Sequence, residues 1–76
     1  MKNKIKGRMN TLEKEAWEIG VKEAHSQKRI VPAAQSAEMM SFIRRNSKKV
    51  GDSIPWLAAY NNGVAIEIGV QTVLEM

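Results

Sequence analysis

The 76-residue sequence contains no cysteine, one histidine, two prolines and only four aromatic residues: two tryptophans, one tyrosine and one phenylalanine. Without cysteine there is no disulfide and no thiolate metal site, and His25 alone supplies no nitrogen cluster for zinc. The reading is therefore metal-free and cofactor-free. Nucleophilic schemes need a histidine beside a serine or cysteine, oriented by a third group. His25 instead sits among Ser26 and Gln27 near a predicted helix end, where it complements the helix dipole. No glycine-rich loop is present to cradle phosphate, since Gly20, Gly51, Gly63 and Gly69 are isolated. A non-enzymatic protein is expected. No stretch reaches the ~20 unbroken apolar residues of a membrane span. The opening MKNKIKGRMN has no apolar run behind it, unlike a secretory signal, so a cytoplasmic location with no membrane partner is expected.

A chain this short forms one domain with a thin stability margin. Disulfides and metals, the usual aids of small domains, are absent. A partner, either a second copy in a homodimer or a larger target, is the remaining source of added stability, with a self-sufficient monomer as the alternative.

What is present is positive charge, +4 net and unevenly spread. Lys2, Lys4, Lys6 and Arg8 form an arm without an acid among them. Residues 10–27 are net acidic, through Glu13, Glu15, Glu18 and Glu23 against Lys14 and Lys22. Lys28, Arg29, Arg44, Arg45, Lys48 and Lys49 then follow with Glu38 between them. Such segregation builds polyanion-binding faces, although surface lysines also serve solubility alone.

Residues 1–9 read as a flexible basic arm, and residues 10–76 as a single helical domain. Asn10 or Thr11 can cap a helix from about Leu12 to Gln27, and Asn10 with Glu13 three positions on has the spacing of a capping box. Leu12, Ala16, Trp17, Ile19, Gly20, Val21 and Ala24 cover its broad core-facing side, and Glu18 and Lys22 are spaced as an ion pair on the other. Pro32 breaks the chain. Ser36 then caps a second helix to about Asn46, with Met39, Met40, Phe42 and Ile43 toward one side and the basic turn Arg44–Lys49 at its end. Cations there also complement the helix dipole.

The segment from Ile54 to Met76 is ambiguous. Val64, Ile66, Ile68 and Val70 alternate as in a strand, and Asn61-Asn62-Gly63 has the composition of a hairpin turn. Against this, Asp52 or Ser53 followed by Pro55 is a helix-start signal. Helix is the expectation, with residues 64–76 open to either form. Gly20 and Gly63 fall inside predicted helices, where each costs ~1 kcal/mol relative to alanine. Close helix approach explains them: Ala16, Gly20 and Ala24 make one smooth strip, Ala59 and Gly63 another. Helices one and three are predicted to cross there, with Trp17, Trp56 and Tyr60 packed around the crossing.

Two blocks of this pattern resemble ribosome modulation factor and the small phage and prophage proteins similar to it. Ala16-Trp17, Gly20, Ala24 and Lys28-Arg29 match that family's opening, and Trp56-Leu57-Ala58-Ala59-Tyr60 with Gly63 matches its closing Trp-Leu-Gly-Gly-Trp and the small residue beyond. The blocks cover about residues 12–32 and 53–66. Only Pro32 is kept of the family's central Cys-Pro-Tyr, residues 36–52 separate the blocks more widely, and residues 67–76 run past the family's end. The resemblance implies a helical protein that binds ribosomal RNA on the small subunit and favours silent ribosome dimers.

The sequence thus predicts an all-α, three-helix domain that binds ribosomal RNA or the ribosome and modulates translation. Lys2, Lys4, Lys6, Arg8, Lys28, Arg29, Arg44, Arg45, Lys48 and Lys49 are the candidate phosphate contacts. The alternative is a phage or prophage protein that binds and inhibits or redirects a host protein through its apolar C-terminal helix and an apolar surface of Met39, Met40, Ile68, Val70, Val73 and Leu74. A helix-turn-helix DNA binder fits less well, because the connection before Pro55 is long.

Overall fold

The predicted capping box starts the first helix. In a computed structural model that describes residues 10–74, Asn10 Oδ1 accepts from the Glu13 amide at 2.8 Å, and Glu13 Oε1 accepts from the Asn10 amide at 3.3 Å. Two otherwise orphaned donors are satisfied, an arrangement worth ~1 kcal/mol at a helix start. Helix α1 runs Thr11–Gln27 and stops at Lys28, whose left-handed backbone (φ 58°) turns its amide back onto the Ala24 carbonyl at 2.8 Å. The predicted arm, residues 1–9, lies outside the described residues, as do Glu75 and Met76.

Val31 and Pro32 lead into a single 3-10 turn, Ala33–Gln35. Ser36 then caps α2, Ala37–Asn46, accepting from the Met39 amide at 3.1 Å while its hydroxyl donates to Glu23 on α1 at 2.8 Å. One small side chain thereby starts α2 and ties it to α1. Helix α3, Ile54–Leu74, begins one residue before Pro55, where a missing amide hydrogen leaves no bond unmade. Asp52 does not cap it, because its carboxylate accepts from the Lys48 and Lys49 amides at 2.8 and 3.1 Å.

The tail is helical to Leu74, and no strand occurs among the described residues. A lone strand here would leave its backbone groups without partners, whereas a helix satisfies them internally. The alternating valines and isoleucines therefore give way to the proline at the helix start and to the helix crossing.

That crossing lies where the glycines predict it. A β-carbon at Gly20 would overlap the Tyr60 carbonyl and stand 3.2 Å from the Val64 amide nitrogen. One at Gly63 would overlap the Trp17 carbonyl and stand 3.1 Å from the Val21 nitrogen. Each glycine thus makes room for the other helix's backbone. Trp17 meets Gly63, while His25 meets Glu67, so α1 and α3 run in the same sense. Lys22 meets Glu38, while Arg45 borders the same groove as Glu15 and Glu18, so α2 runs the opposite way.

The core is one cluster: Ala16, Ile19, Ala24, Met39, Phe42, Trp56, Ala59, Tyr60 and Val64. Phe42 and Trp56 meet edge to face with ring centroids 5.5 Å apart. Tyr60 is wholly enclosed, and its hydroxyl donates to the Val31 carbonyl at 2.8 Å, which pins the Pro32 connection to the core. Burial holds the Tyr60 phenol above its ordinary range, so it stays a donor.

The side-chain pairing of α1 differs from the sequence expectation. Lys22 does not pair with Glu18; its ammonium lies 2.9 Å from Glu38 at the start of α2, which raises the Lys22 pKa. Carboxylates near a helix start are themselves favourable, and here one links two helices.

Candidate nucleic-acid interface

Ten cations are candidate phosphate contacts, and the fold divides them into three groups. Lys2, Lys4, Lys6 and Arg8 lie outside the described residues. Arg44 and Arg45 occupy the last turn of α2, and Lys48 and Lys49 follow in the loop, all four exposed. Lys28 and Arg29 stand beyond the C-terminal end of α1. Because α1 and α2 run in opposite senses, these last two are at the far end of the molecule from the Arg44–Lys49 turn. The described cations therefore do not share one face.

The Arg44–Lys49 turn is held from beneath. Asn46 Nδ2 donates to the Phe42 carbonyl at 2.8 Å, and the Ser47 amide closes on the Ile43 carbonyl at 2.9 Å. Asp52 gathers the two lysine amides, and Gly51 takes the positive φ (94°) that lets the chain reverse toward α3. These bonds fix the backbone and leave the four charged heads in water. None of the four makes an ion pair among the described residues, although Arg45 borders an open groove with Glu15, Glu18 and Glu38. The negative end of the α2 dipole faces this turn and supports positive charge there.

Asn10, where the N-terminal segment joins α1, is at this same end, since the first turns of α1 lie beside the last turn of α2. The sequence places Lys2, Lys4, Lys6 and Arg8 within eight residues of that junction.

At the other end, His25 is more than a solvated residue at a helix terminus. Its Nδ1 lies 3.0 Å from Glu67 Oε2 on α3. Gln71 Nε2 donates to the same carboxylate at 3.0 Å and to the Ala24 carbonyl at 3.2 Å. The Gln71 bond, then the His25 bond, holds the Glu67 carboxyl below its ordinary pKa. This network fastens the second half of α3 to α1, and Lys28 is beside it.

The residues expected to form an apolar partner surface also divide. Met39 is a correction: it is fully buried between the helices and offers nothing to a partner. Its position one turn from Ile43 and beside Phe42 turns it inward with them. Met40, next in sequence, points outward and is 38% exposed. Ile68 is partly buried against the core. Val70, Val73 and Leu74 are exposed and join Ile66, absent from the sequence-based set, around an open apolar depression at Gly69. The one-turn spacing of Ile66 and Val70 was the signal that could have found Ile66; the competing strand reading set the two on one face without saying which was covered.

No helix among the described residues is long and apolar enough to cross a membrane, and no group of three metal-binding side chains occurs among them. No family model, curated protein or solved structure matches the chain.

Proposed function

We propose that this chain is a non-catalytic binding protein that engages a polyanion through the end of the molecule carrying Arg44, Arg45, Lys48 and Lys49. The observation that carries this reading is the gathering of four exposed cations, without ion-pair partners among the described residues, at the end where the basic N-terminal segment joins α1. Ribosomal RNA is the polyanion that the resemblance to ribosome modulation factor favours, and modulation of translation is the corresponding role. The residues that meet at the α1–α3 glycine crossing are among those on which that resemblance rests. Lys28 and Arg29, at the far end, are assigned a secondary part.

Phosphate contacts release counterions, so affinity falls with salt by a log–log slope of about 0.7 per contact on single strands. Replacing Arg44, Arg45, Lys48 and Lys49 by glutamine should reduce ribosome co-sedimentation and flatten that slope by about 2–3. Unchanged co-sedimentation and an unchanged slope would reject the assignment. The second reading, a phage or prophage protein that redirects a host protein, draws on exposed Met40 and the apolar end of α3. It predicts salt-insensitive capture of one protein with no RNA enrichment.

A further inference from the structure

All four aromatic residues of the chain are committed to its interior. Phe42, Trp56 and Tyr60 are 1%, 6% and 0% exposed, and Trp17 is packed against the core they form. The Phe42 and Trp56 rings meet each other, and the Tyr60 hydroxyl is bonded to Val31. None of these rings stands open beside Arg44, Arg45, Lys48 and Lys49. The imidazole of His25 is at the far end and bonded to Glu67. The shape of the basic end is a second observation. Val50, next to Lys49, is 102% exposed and Ile54 is 68% exposed, so the turn protrudes from the body. The hollow beside it, between α1 and α2, is bordered by Glu15, Glu18 and Glu38 as well as Lys22 and Arg45. A strand laid in that hollow would meet three carboxylates.

We infer that the basic end engages double-helical RNA through its phosphates and does not read unpaired bases, an inference that rests on the polyanion assignment proposed above. Proteins that hold single strands combine a positive groove with rings on which the bases stack. Here the rings are inside and the adjoining groove carries acids. A double helix requires neither. It presents its phosphates outward at roughly twice the linear charge density of one strand. A-form RNA is, moreover, recognised largely by shape and by sugar and phosphate contacts. A protruding turn that carries four cations reaches such phosphates without a channel. Val50 at its tip has no side-chain group that could bond a base edge, so sequence should count for little. Four contacts, with salt slopes of about 0.9 each on a duplex and 0.7 on a single strand, favour the duplex roughly sixfold at ~0.1 M salt. Arginine planes can also carry stacked bases, and this defines the decisive variant. Arg44→Lys combined with Arg45→Lys keeps both charges and removes both planes.

Fluorescence anisotropy of the full chain with three RNAs of equal nucleotide number tests this: a fully paired hairpin, a hairpin of scrambled sequence, and an unstructured oligo-uridine strand. The two hairpins should bind within about twofold of each other, and each at least about fivefold more tightly than the single strand at ~0.1 M salt. The double lysine variant should bind the hairpin within about twofold of wild type, since its charge is unchanged. Tighter or equal binding of the single strand would overturn the inference. So would a preference of about tenfold or more between the hairpin sequences, or a comparable loss in the lysine variant. In each of those cases RNA is still bound, and the polyanion assignment stands. If no RNA of the three binds, or if replacing all four cations by glutamine leaves hairpin binding unchanged, that assignment fails and this inference falls with it.

Discussion

The first half of α3 buries Trp56, Ala59, Tyr60, Gly63 and Val64, whereas the second half of the same unbroken helix leaves Ile66, Val70, Val73 and Leu74 to solvent. Both halves are apolar, and both contain a glycine with branched or small neighbours. The difference is what passes beside them. The α1 backbone lies against Gly63, with its Trp17 carbonyl where a side chain would go, while Gly69 faces open space. A glycine in a helix is thus informative only together with its surroundings: at Gly63 it is a structural necessity, and at Gly69 it is an unfilled position on the surface. Past the crossing the two helices are fastened mainly by polar groups, His25, Glu67 and Gln71, rather than by a buried apolar seam.

The comparison is broken most directly at the glycines. Gly20→Leu or Gly63→Leu drives a side chain into the opposing backbone, which cannot move aside as a rotamer can, and should cost more than ~4 kcal/mol, enough to unfold a marginal domain. Thermal melts followed by circular dichroism should show no cooperative transition, whereas Gly69→Leu melts as wild type. A stable Gly20→Leu protein would show that the crossing is not as drawn. Tyr60→Phe is next. It keeps the packing but leaves the buried Val31 carbonyl without its donor, at a cost of ~1–3 kcal/mol, read as a lower denaturant midpoint with an unchanged slope.

A smaller effect is expected at the polar fastening. Because the folded Glu67 pKa lies below its ordinary 4.5, its contribution is present above that value and is lost as pH falls through the lowered folded pKa. Glu67→Gln should therefore be less stable than wild type near neutrality, with the gap closing as the medium is acidified below 4.5. A gap that persists at acid pH would mean that the carboxylate charge is not what matters. The smallest effect belongs to Lys22 and Glu38, an exposed pair that salt screens. Lys22→Ala should barely move the melting midpoint, and moderate salt should erase any difference.

Legibility in the sequence follows the range of the interaction. The capping box at Asn10 and Glu13, the Ser36 cap and the break at Pro32 depend on residues a few positions apart, so their spacing was sufficient. The glycine crossing is long-range but still legible, because a residue that weakens a helix needs a reason and close approach is a strong one. Lys22 was misassigned because Glu18 and Glu38 are equally plausible carboxylates until α2 is set beside α1. Met39 and Met40 are adjacent and chemically identical, and only the rotation of α2 against the core decides that one is sealed and the other exposed. The basic candidates look continuous along the chain, yet the reversal between α1 and α2 sends Lys28 and Arg29 to one end and Arg44–Lys49 to the other.

By itself, then, the sequence determined an all-α chain, its helix starts, its lack of disulfides and the two glycines at which its helices meet, because each rests on local backbone preference or on composition. The tertiary structure alone decided that residues 64–74 stay helical, which of two methionines is core, which acid Lys22 finds, and that the last turns of α3 present an apolar face around Gly69 that no other described residue covers. Those outcomes depend on where one helix stops covering another, a matter of relative position in space that no spacing along the chain records.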